Sequence, residues 1–422
     1  MDRRIEPGML SGRMEAIASK SELHRLILCA ALADAPVTLL FRSGAKDVEA
    51  TLDCASALGA KIERRGDGVR ITPISCREKS LETPVFYCRE SGSTLRFVLP
   101  LAAALGRGGR FYGEGRLAER PLGELVTALE RGGIEFSAPK LPFEITGRLR
   151  PGRYTLPGNV SSQYVTGLLM ALPLLEGESE IGLETALESA SYVDITLAVL
   201  RKFGVDVRST QQGYTVPAPQ CFRSPGTLRA DGDWSNGAFF LAAGALGGAG
   251  VTVTGLRENS TQGDRVMLEL LRRFGAAVES DETGGITVRG GTLHGIEADL
   301  SDAPDLLPVL AVLAACAEGM TRFTGAARLR LKESDRLVST AALVNGLGGC
   351  AEETTDGLLI RGGKLLGGTV SSYHDHRIAM AAAVASVRCL GDVCIRDAGA
   401  VEKSYPGFFE DFAKMGGKSH VV

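Results

Sequence analysis

Phe274-Gly275-Ala276-Ala277-Val278 ends an apolar helical pattern on a glycine and passes straight into a strand-like segment, and this phrase recurs along the chain. The other copies read Leu58-Gly59-Ala60-Lys61-Ile62, Gly132-Gly133-Ile134-Glu135-Phe136, Phe203-Gly204-Val205-Asp206-Val207 and Leu347-Gly348-Gly349-Cys350-Ala351; the first is followed by a return strand Val69-Arg70-Ile71. A glycine after the last helical turn supplies the left-handed residue that caps it. The period-two segments that follow suit half-buried strands. The turn glycines at 59, 133, 204, 275 and 348 are spaced by 74, 71, 71 and 73 residues, and Gly417, in Met415-Gly416-Gly417, comes 69 residues after Gly348. One helix–glycine–strand junction is common in α/β proteins, but near-constant spacing marks a repeat.

Six α/β units divide naturally as three and three, with a boundary near Thr227 to Gly232 after the third copy. The sixth copy reaches its turn with little chain left for strands. The segment Arg3 to Ile17 is expected to supply them, which makes the fold circular and implies a second crossing near residues 12 to 19. The expected domains are therefore 1–15 plus 230–422, and 16–229.

Composition limits the partners. The chain has 422 residues, 44% of them hydrophobic, which is too long for one ordinary core and apolar enough to fold throughout. Its 47 basic residues nearly balance 50 acidic ones for a formal charge of −3, so no global field favours nucleic acid or an anionic membrane. No apolar run reaches the roughly 18 residues of a membrane span. The start, Met1-Asp2-Arg3-Arg4-Ile5-Glu6-Pro7, lacks the apolar core of a secretory signal, so a cytoplasmic location is expected. Nine cysteines without a Cys-x-x-Cys pair read as reduced thiols.

The chemistry lies in polar clusters that precede apolar helical patterns. Ser19-Lys20-Ser21-Glu22 has the form of a capping box, which puts Lys20 in a first helical turn and Ser21 and Arg25 on one face. A cation there opposes the helix dipole unless an anion joins it. Glu90-Ser91-Gly92-Ser93-Thr94-Leu95-Arg96 repeats the theme, as do Asn159-Val160-Ser161-Ser162-Gln163 and Ser189-Ala190-Ser191-Tyr192. Arg328-Leu329-Arg330-Leu331-Lys332-Glu333-Ser334-Asp335-Arg336 is the densest cluster. Lys332 and Arg336, four apart, would set like charges together on a helix surface; either an external anion neutralises them or Glu333 and Asp335 do so from within. His374-Asp375-His376-Arg377 and Lys403-Ser404-Tyr405-Pro406 each precede a further helix, with Pro406 near its first position. His374 and His376 would point apart on a strand, and no third ligand completes a metal site. Glu119-Arg120-Pro121 follows a glycine-broken loop from Gly106 to Gly115.

Nucleotide and hydrolase signatures are missing: there is no G-x-x-x-x-G-K-[ST] and no G-x-S-x-G, and Gly113-x-Gly115 lacks a dinucleotide context. Cations and hydroxyls at many helix starts, drawn from both halves of the chain, point to polyanionic small molecules in an interdomain cleft.

Ser19-Lys20-Ser21-x-x-x-Arg25, Glu119-Arg120-Pro121, Val160-Ser161-Ser162-Gln163, Ser191-Tyr192-Val193-Asp194-Ile195-Thr196, Leu331-Lys332-Glu333-Ser334-Asp335-Arg336-Leu337 and Asp375-His376-Arg377 together resemble the 3-phosphoshikimate 1-carboxyvinyltransferase (EPSP synthase) family of enolpyruvyl transferases, in order and over nearly the whole chain. The resemblance implies two inside-out α/β barrel domains, each of three βαβαββ-type units. It implies transfer of the carboxyvinyl group of phosphoenolpyruvate to the 5-hydroxyl of shikimate 3-phosphate, in the chorismate branch of aromatic amino acid biosynthesis, with no cofactor and no metal. It assigns Lys20, Ser21, Arg25, Ser161, Ser162, Ser189, Tyr192, Asp305 and Lys332 to shikimate 3-phosphate. Gly92, Arg120, Gln163, Arg336, Arg377 and Lys403, with Lys20, fall to phosphoenolpyruvate. Glu333 resembles the proton donor to carbon and Asp305 the base on the hydroxyl, with Lys20 the third catalytic residue. A monomer is expected, and its two domains should close on the substrates. Arg336→Ala or Glu333→Gln is expected to leave folding intact and suppress turnover.

Three positions depart from the family pattern: Glu90 and Arg328 stand where Asn is frequent, and Phe97 where Pro is frequent. The nearest rival is the transferase that adds enolpyruvate to UDP-N-acetylglucosamine. Its early motif is Lys-Asn and its reactive loop carries a cysteine, whereas Ser21 follows Lys20 here and Arg107 to Pro121 has no cysteine. A rival of another class is a non-catalytic repeat scaffold that binds polyanions, whose affinity would fall steeply with salt.

Overall fold

The computed structural model describes residues 1–42, 44–75 and 82–422. Cys76, one of the nine cysteines read as reduced, lies outside the described residues; the eight others are free thiols. Among the described residues the chain forms twelve α-helices: α1 Lys20–Ala31, α2 Lys46–Ala57, α3 Gly92–Ala104, α4 Gly123–Arg131, α5 Ser162–Ala171, α6 Ala190–Lys202, α7 Trp234–Leu246, α8 Met267–Phe274, α9 Leu307–Ala315, α10 Arg336–Gly346, α11 His376–Ala385 and α12 Phe408–Lys414. Two compact units contain them, Lys20–Arg42 with Lys46–Ala230, and Met1–Ser19 with residues 44–45 and Asp231–Val422.

In the second of these units, α9 is Leu-Pro-Val-Leu-Ala-Val-Leu-Ala-Ala, and every residue of it is buried. A helix that is apolar all round has no face to give to water, so it belongs at the centre. α11 is likewise buried throughout, its His376 and Arg377 at the N-terminal end included, and α7, α9 and α11 pack on one another. In the first unit α1 and α5 pack against α3. The intervening helices are two-sided: α8 buries Met267, Leu268, Leu270, Leu271 and Phe274 and exposes Glu269, Arg272 and Arg273. Helices thus lie inside and sheets outside, as the family resemblance implies.

Among the described residues, six four-stranded sheets repeat one strand order. In the sheet of Val85–Tyr87, Gly109–Tyr112, Phe143–Gly147 and Ile134–Phe136, the first pair is parallel and the next two pairings are antiparallel. Alternation turns one face inward, as Ile286 and Val288 or Val393 and Ile395 show. The first unit closes when Thr227–Arg229 pairs in parallel with Val37–Leu40. In the second, Ser11–Glu15 pairs in parallel with Gly250–Thr254, and Arg3–Glu6 lies between Val393–Arg396 and Lys418–Val421, with Arg3 opposite both Ile395 and Val421. The N-terminal segment therefore enters two sheets. The sixth copy does not lack strands, because Lys418–Val421 follows its turn.

The turn glycines adopt the conformation that the sequence requires, φ being +102° at Gly59, +100° at Gly133, +71° at Gly204, +100° at Gly275 and +86° at Gly348; in the sixth copy the left-handed residue is Gly416, φ +100°, one position before the Gly417 that the spacing singled out. The residue after Gly275 closes the helix, Ala276 N donating to Leu271 O at 3.0 Å, and Ala60, Val205, Gly349 and Gly417 make the same bond.

Several local expectations are corrected. No strand forms over Val205–Val207; it begins at Arg208, because the Gln220 side chain pairs with both the N–H and the carbonyl of Asp206, at 2.7 and 2.9 Å. The loop from Gly106 to Gly115 contains the strand Gly109–Tyr112. Lys332 is extended and precedes α10, so it does not stack on Arg336 along a helix. His376 opens α11 and His374 lies in a left-handed turn, so neither is on a strand. Pro406 stands two residues ahead of α12. Among the described residues, no helix is long and apolar enough to cross a membrane.

Removing residues 1–8 deletes the strand that joins Val393–Arg396 to Lys418–Val421. Hydrogen exchange is expected to show lost protection in those two strands and retained protection in Val37–Leu40. Unchanged protection at 393–396 would contradict the sheet order.

Candidate active site

In the unit that contains α9, α10 and α11, the N-terminal ends of these helices meet around one guanidinium. Arg336 opens α10 and is almost wholly buried. Its Nε lies 2.7 Å from Asp375 Oδ2 and its Nη2 lies 3.3 Å from Asp375 Oδ1, while Nη1 reaches Asp305 Oδ1 at 2.7 Å and Nη2 reaches Glu333 Oε2 at 2.8 Å. Asp375 is fixed because it caps α11, accepting from Arg377 N at 2.9 Å, and because Ser334 Oγ donates to it at 3.1 Å. Asp335 caps α10 in the same way, accepting from Leu337 N and Val338 N. The capping residues that start the helices therefore also place the charges.

Further cations share these carboxylates. Arg377 Nη2 donates to Asp305 Oδ2 at 2.9 Å, Lys332 Nζ stands 3.8 Å from Asp305 Oδ1, and Lys403 Nζ stands 3.6 Å from Glu333 Oε1. Burial pushes the Asp305 carboxyl up, but Arg377, Lys332 and Arg336 outweigh it and hold the group well below the usual carboxylate range. Burial lowers the Arg336 pKa, and Asp375, Glu333 and Asp305 more than reverse this, so the guanidinium stays charged. Asp264, in the short 3-10 turn Gly263–Val266, is raised to about 7, first by burial and then by Asp305, and its Oδ2 accepts from Ser235 Oγ.

The other unit gathers its own set at the starts of α1, α3, α5 and α6. Lys20 Nζ pairs with Asp47 Oδ2 at 2.9 Å. Gly92 opens α3 under two guanidinium groups: a Cβ there would stand 2.5 Å from Arg96 Nη1 and 2.8 Å from Arg120 Nη1. Arg96 Nη1 also donates to Gln163 Oε1 at 3.2 Å, and Gln163 Nε2 donates to Ser93 Oγ at 2.9 Å. Ser161 caps α5 through Gln163 N, and Ser162 is buried in its first turn. Ser189 precedes α6 in a left-handed conformation, φ 52°, with no side-chain cap bond. Arg25 is buried, and its Nε donates to Thr196 Oγ1 at 2.7 Å while its Nη2 donates to Tyr192 O at 2.8 Å, so it braces α1 against α6. Burial lowers its pKa to about 10.

The sequence-derived residues thus fall into two sets. Asp305, Lys332, Glu333, Arg336, Arg377 and Lys403 are joined by ion pairs in one unit; Gly92, Arg120 and Gln163 gather around Arg96 in the other, where Lys20 is paired with Asp47 and Arg25 meets Tyr192. Asp375, Asp47, Arg96 and Asp264 were not among the expected site residues. Asp375 was legible as an Asp immediately ahead of a helix start, and Arg96 as a base four residues after Gly92. Asp47 carried no such signal. Of the three departures, Phe97 lies under Arg25, 5.0 Å from guanidinium to ring centroid, Arg328 Nη2 donates to Ser301 O at 3.1 Å, and Glu90 flanks Gly115.

Comparison with known proteins identifies the family. The family model for EPSP synthase (3-phosphoshikimate 1-carboxyvinyltransferase) matches residues 5–412. The 3-phosphoshikimate 1-carboxyvinyltransferase of Clostridium kluyveri is 42% identical over 418 residues, covering 98% of this chain and 97% of that protein. That of Clostridium acetobutylicum is 42% identical over 424 residues, covering 99% and 98%. Among solved structures, EPSP synthase from Acinetobacter baumannii superposes with a TM-score of 0.83 at 28% identity over the full length of both chains. The enolpyruvyl transferase NikO from Streptomyces tendae shares the fold, with a TM-score of 0.79 at 20% identity over 99% of this chain and 98% of that one. With a fold of six matching sheets, a carboxylate-bound arginine hub and whole-length likeness of this order, the chain belongs to the EPSP synthase family of transferases.

Proposed function

We propose that the chain transfers the enolpyruvyl group of phosphoenolpyruvate to the 5-hydroxyl of shikimate 3-phosphate and releases inorganic phosphate, in aromatic amino acid biosynthesis. The observation that carries this reading beyond family membership is the crowding of four cations in one unit: Lys332, Arg336, Arg377 and Lys403 share Asp305, Glu333 and Asp375, and burial pushes nearby Asp264 up to about 7. Such a set suits a ligand bearing both carboxylate and phosphate. The reading takes 1–15 with 230–422 as one domain and 16–229 as the other, in a cytoplasmic monomer.

By motif, phosphoenolpyruvate would take Lys20, Gly92, Arg120, Gln163, Arg336, Arg377 and Lys403. Shikimate 3-phosphate would take Lys20, Ser21, Arg25, Ser161, Ser162, Ser189, Tyr192, Asp305 and Lys332. The internal pairs bear on the chemistry. When anionic oxygens claim Arg336 and Arg377, Asp305 loses two of the three cations that depress its pKa while burial still raises it. Ligand entry therefore makes Asp305 a stronger base for the hydroxyl proton. Glu333, bonded to Arg336 and near Lys403, is the proposed donor to the methylene carbon. The charge that develops on the tetrahedral intermediate would fall to the surrounding cations.

A phosphate-release assay with each acceptor tests the reaction. Turnover is expected with shikimate 3-phosphate and none with UDP-N-acetylglucosamine; the reverse result would overturn the reading. Glu333→Gln is expected to lower kcat about 100-fold or more with the fold kept, and a wild-type rate would remove Glu333 from proton transfer. The structure revises the expectation for Arg336→Ala, which takes a partner from three carboxylates, buried Asp375 among them, and should cost about 3–5 kcal/mol of stability as well as turnover. Gly92→Ala is expected to raise KM for phosphoenolpyruvate about tenfold by pressing on Arg96 and Arg120; an unchanged KM would take Gly92 out of that pocket.

A further inference from the structure

Four buried side chains run in line from α1 to the start of α3. His24 Nδ1 lies 2.6 Å from Thr51 Oγ1, Thr51 Oγ1 lies 2.6 Å from Thr94 Oγ1, and Thr94 Oγ1 donates to Ser91 Oγ at 2.7 Å. None is more than 1% exposed. Ser91 caps α3, its Oγ also accepting from Thr94 N at 3.2 Å, so the line ends one residue before Gly92. At its other end His24 stands one helical turn after Lys20. Between them the Asp47 carbonyl oxygen lies 3.4 Å from both the Thr51 and Thr94 hydroxyl oxygens, while the Asp47 carboxylate holds Lys20.

The direction of the line follows from proton counting. A hydroxyl has one proton to give. Thr94 gives its proton to Ser91, so Thr51 is the donor to Thr94, and the Thr51 oxygen then accepts from His24 Nδ1–H. Burial lowers the His24 pKa to about 3, so the imidazole is neutral and Nε2 carries a lone pair; that nitrogen is buried without a hydrogen-bond partner. A buried orphan acceptor is unfavourable and needs a reason. Packing alone would be served better by an apolar ring.

We propose that His24, Thr51 and Thr94 form a positioning relay that fixes the Gly92 turn, and with it the Arg96 and Arg120 guanidinium groups, against Lys20 and Asp47 for binding of phosphoenolpyruvate. The relay rests on the assignment of Gly92 and Arg120 to that substrate. The two guanidinium groups lie close over the turn, since a methyl group at Gly92 would press on both. A shift of the α3 cap by a few tenths of an ångström would misplace them.

Thr51→Val removes the central hydroxyl with almost no change of shape, and Thr51→Ser keeps it. In steady-state kinetics Thr51→Val is expected to raise KM for phosphoenolpyruvate about tenfold with kcat within about twofold, and Thr51→Ser to restore the wild-type KM. In 15N spectra of the unliganded full chain, His24 is expected as the Nδ1–H tautomer, with that signature lost in Thr51→Val. A wild-type KM in Thr51→Val, equal impairment of both variants, or a proton on Nε2 of the unaltered protein would each overturn the relay. The spectra need no substrate. Failure of the substrate reading, seen as no turnover by the unaltered chain, is thus told apart from failure of the relay, seen in the tautomer.

Discussion

A guanidinium taken out of water must be met by acceptors, and the unit containing α10 meets that demand at Arg336 with carboxylates. Unpaired, the charge would cost several kcal/mol. Asp375 meets the Nε side, and Asp305 and Glu333 meet the two terminal nitrogens. Because Asp375 also caps α11, the partner of the charge cannot move without unsettling a helix start. Helix N-termini are themselves positive ends. Bringing several together with four cations is tenable only while acidic groups stand among them.

The sheet architecture makes this convergence possible. Three helices per unit can begin in one region only if the connecting segments return the chain to the same end each time, and the left-handed glycines do so within two residues of the ends of α2, α4, α6, α8, α10 and α12. Gly275 and its counterparts were readable because a positive φ is open to few residues besides glycine and because their spacing is regular. The strand expected after Gly204 was not readable. Gln220, sixteen positions later, satisfies the Asp206 backbone with its side-chain amide, and no local pattern announces such a bond. Pairing of Arg3–Glu6 with Val421 and Ile395 was suggested by a repeat that ran short of chain, although the final copy retained a strand of its own.

The site was legible in its cations and only partly in its counter-ions. Lys332, Arg336 and Arg377 stood out as bases beside helix starts, where the dipole disfavours them. The argument that Lys332 and Arg336 stack on one helix was wrong in geometry, since Lys332 lies before the helix; yet both do reach Asp305, so the inferred need for a negative partner was sound. Two answers had been open, an external anion or acids of the same cluster. Glu333 is the internal answer in part, and the more distant Asp305 and Asp375 supply the rest. Their role depends on a meeting of α9, α10 and α11 that no single stretch of sequence encodes.

Asp305 occupies Arg336 and Arg377 much as a ligand oxygen would, and Asp47 occupies Lys20 in the other unit. Each unit thereby carries counter-charge of its own and can fold without its reactants. In the proposed reaction, binding is an exchange of ion pairs, with the displaced carboxylates left desolvated beside the incoming anion. Such an exchange weakens the affinity which the cations alone would give. It would also transfer part of the binding free energy into raising the basicity of Asp305, the proposed base for the hydroxyl proton. A site lined with cations and lacking internal acids would hold an anionic ligand more tightly, but binding would leave no carboxylate whose pKa it could raise.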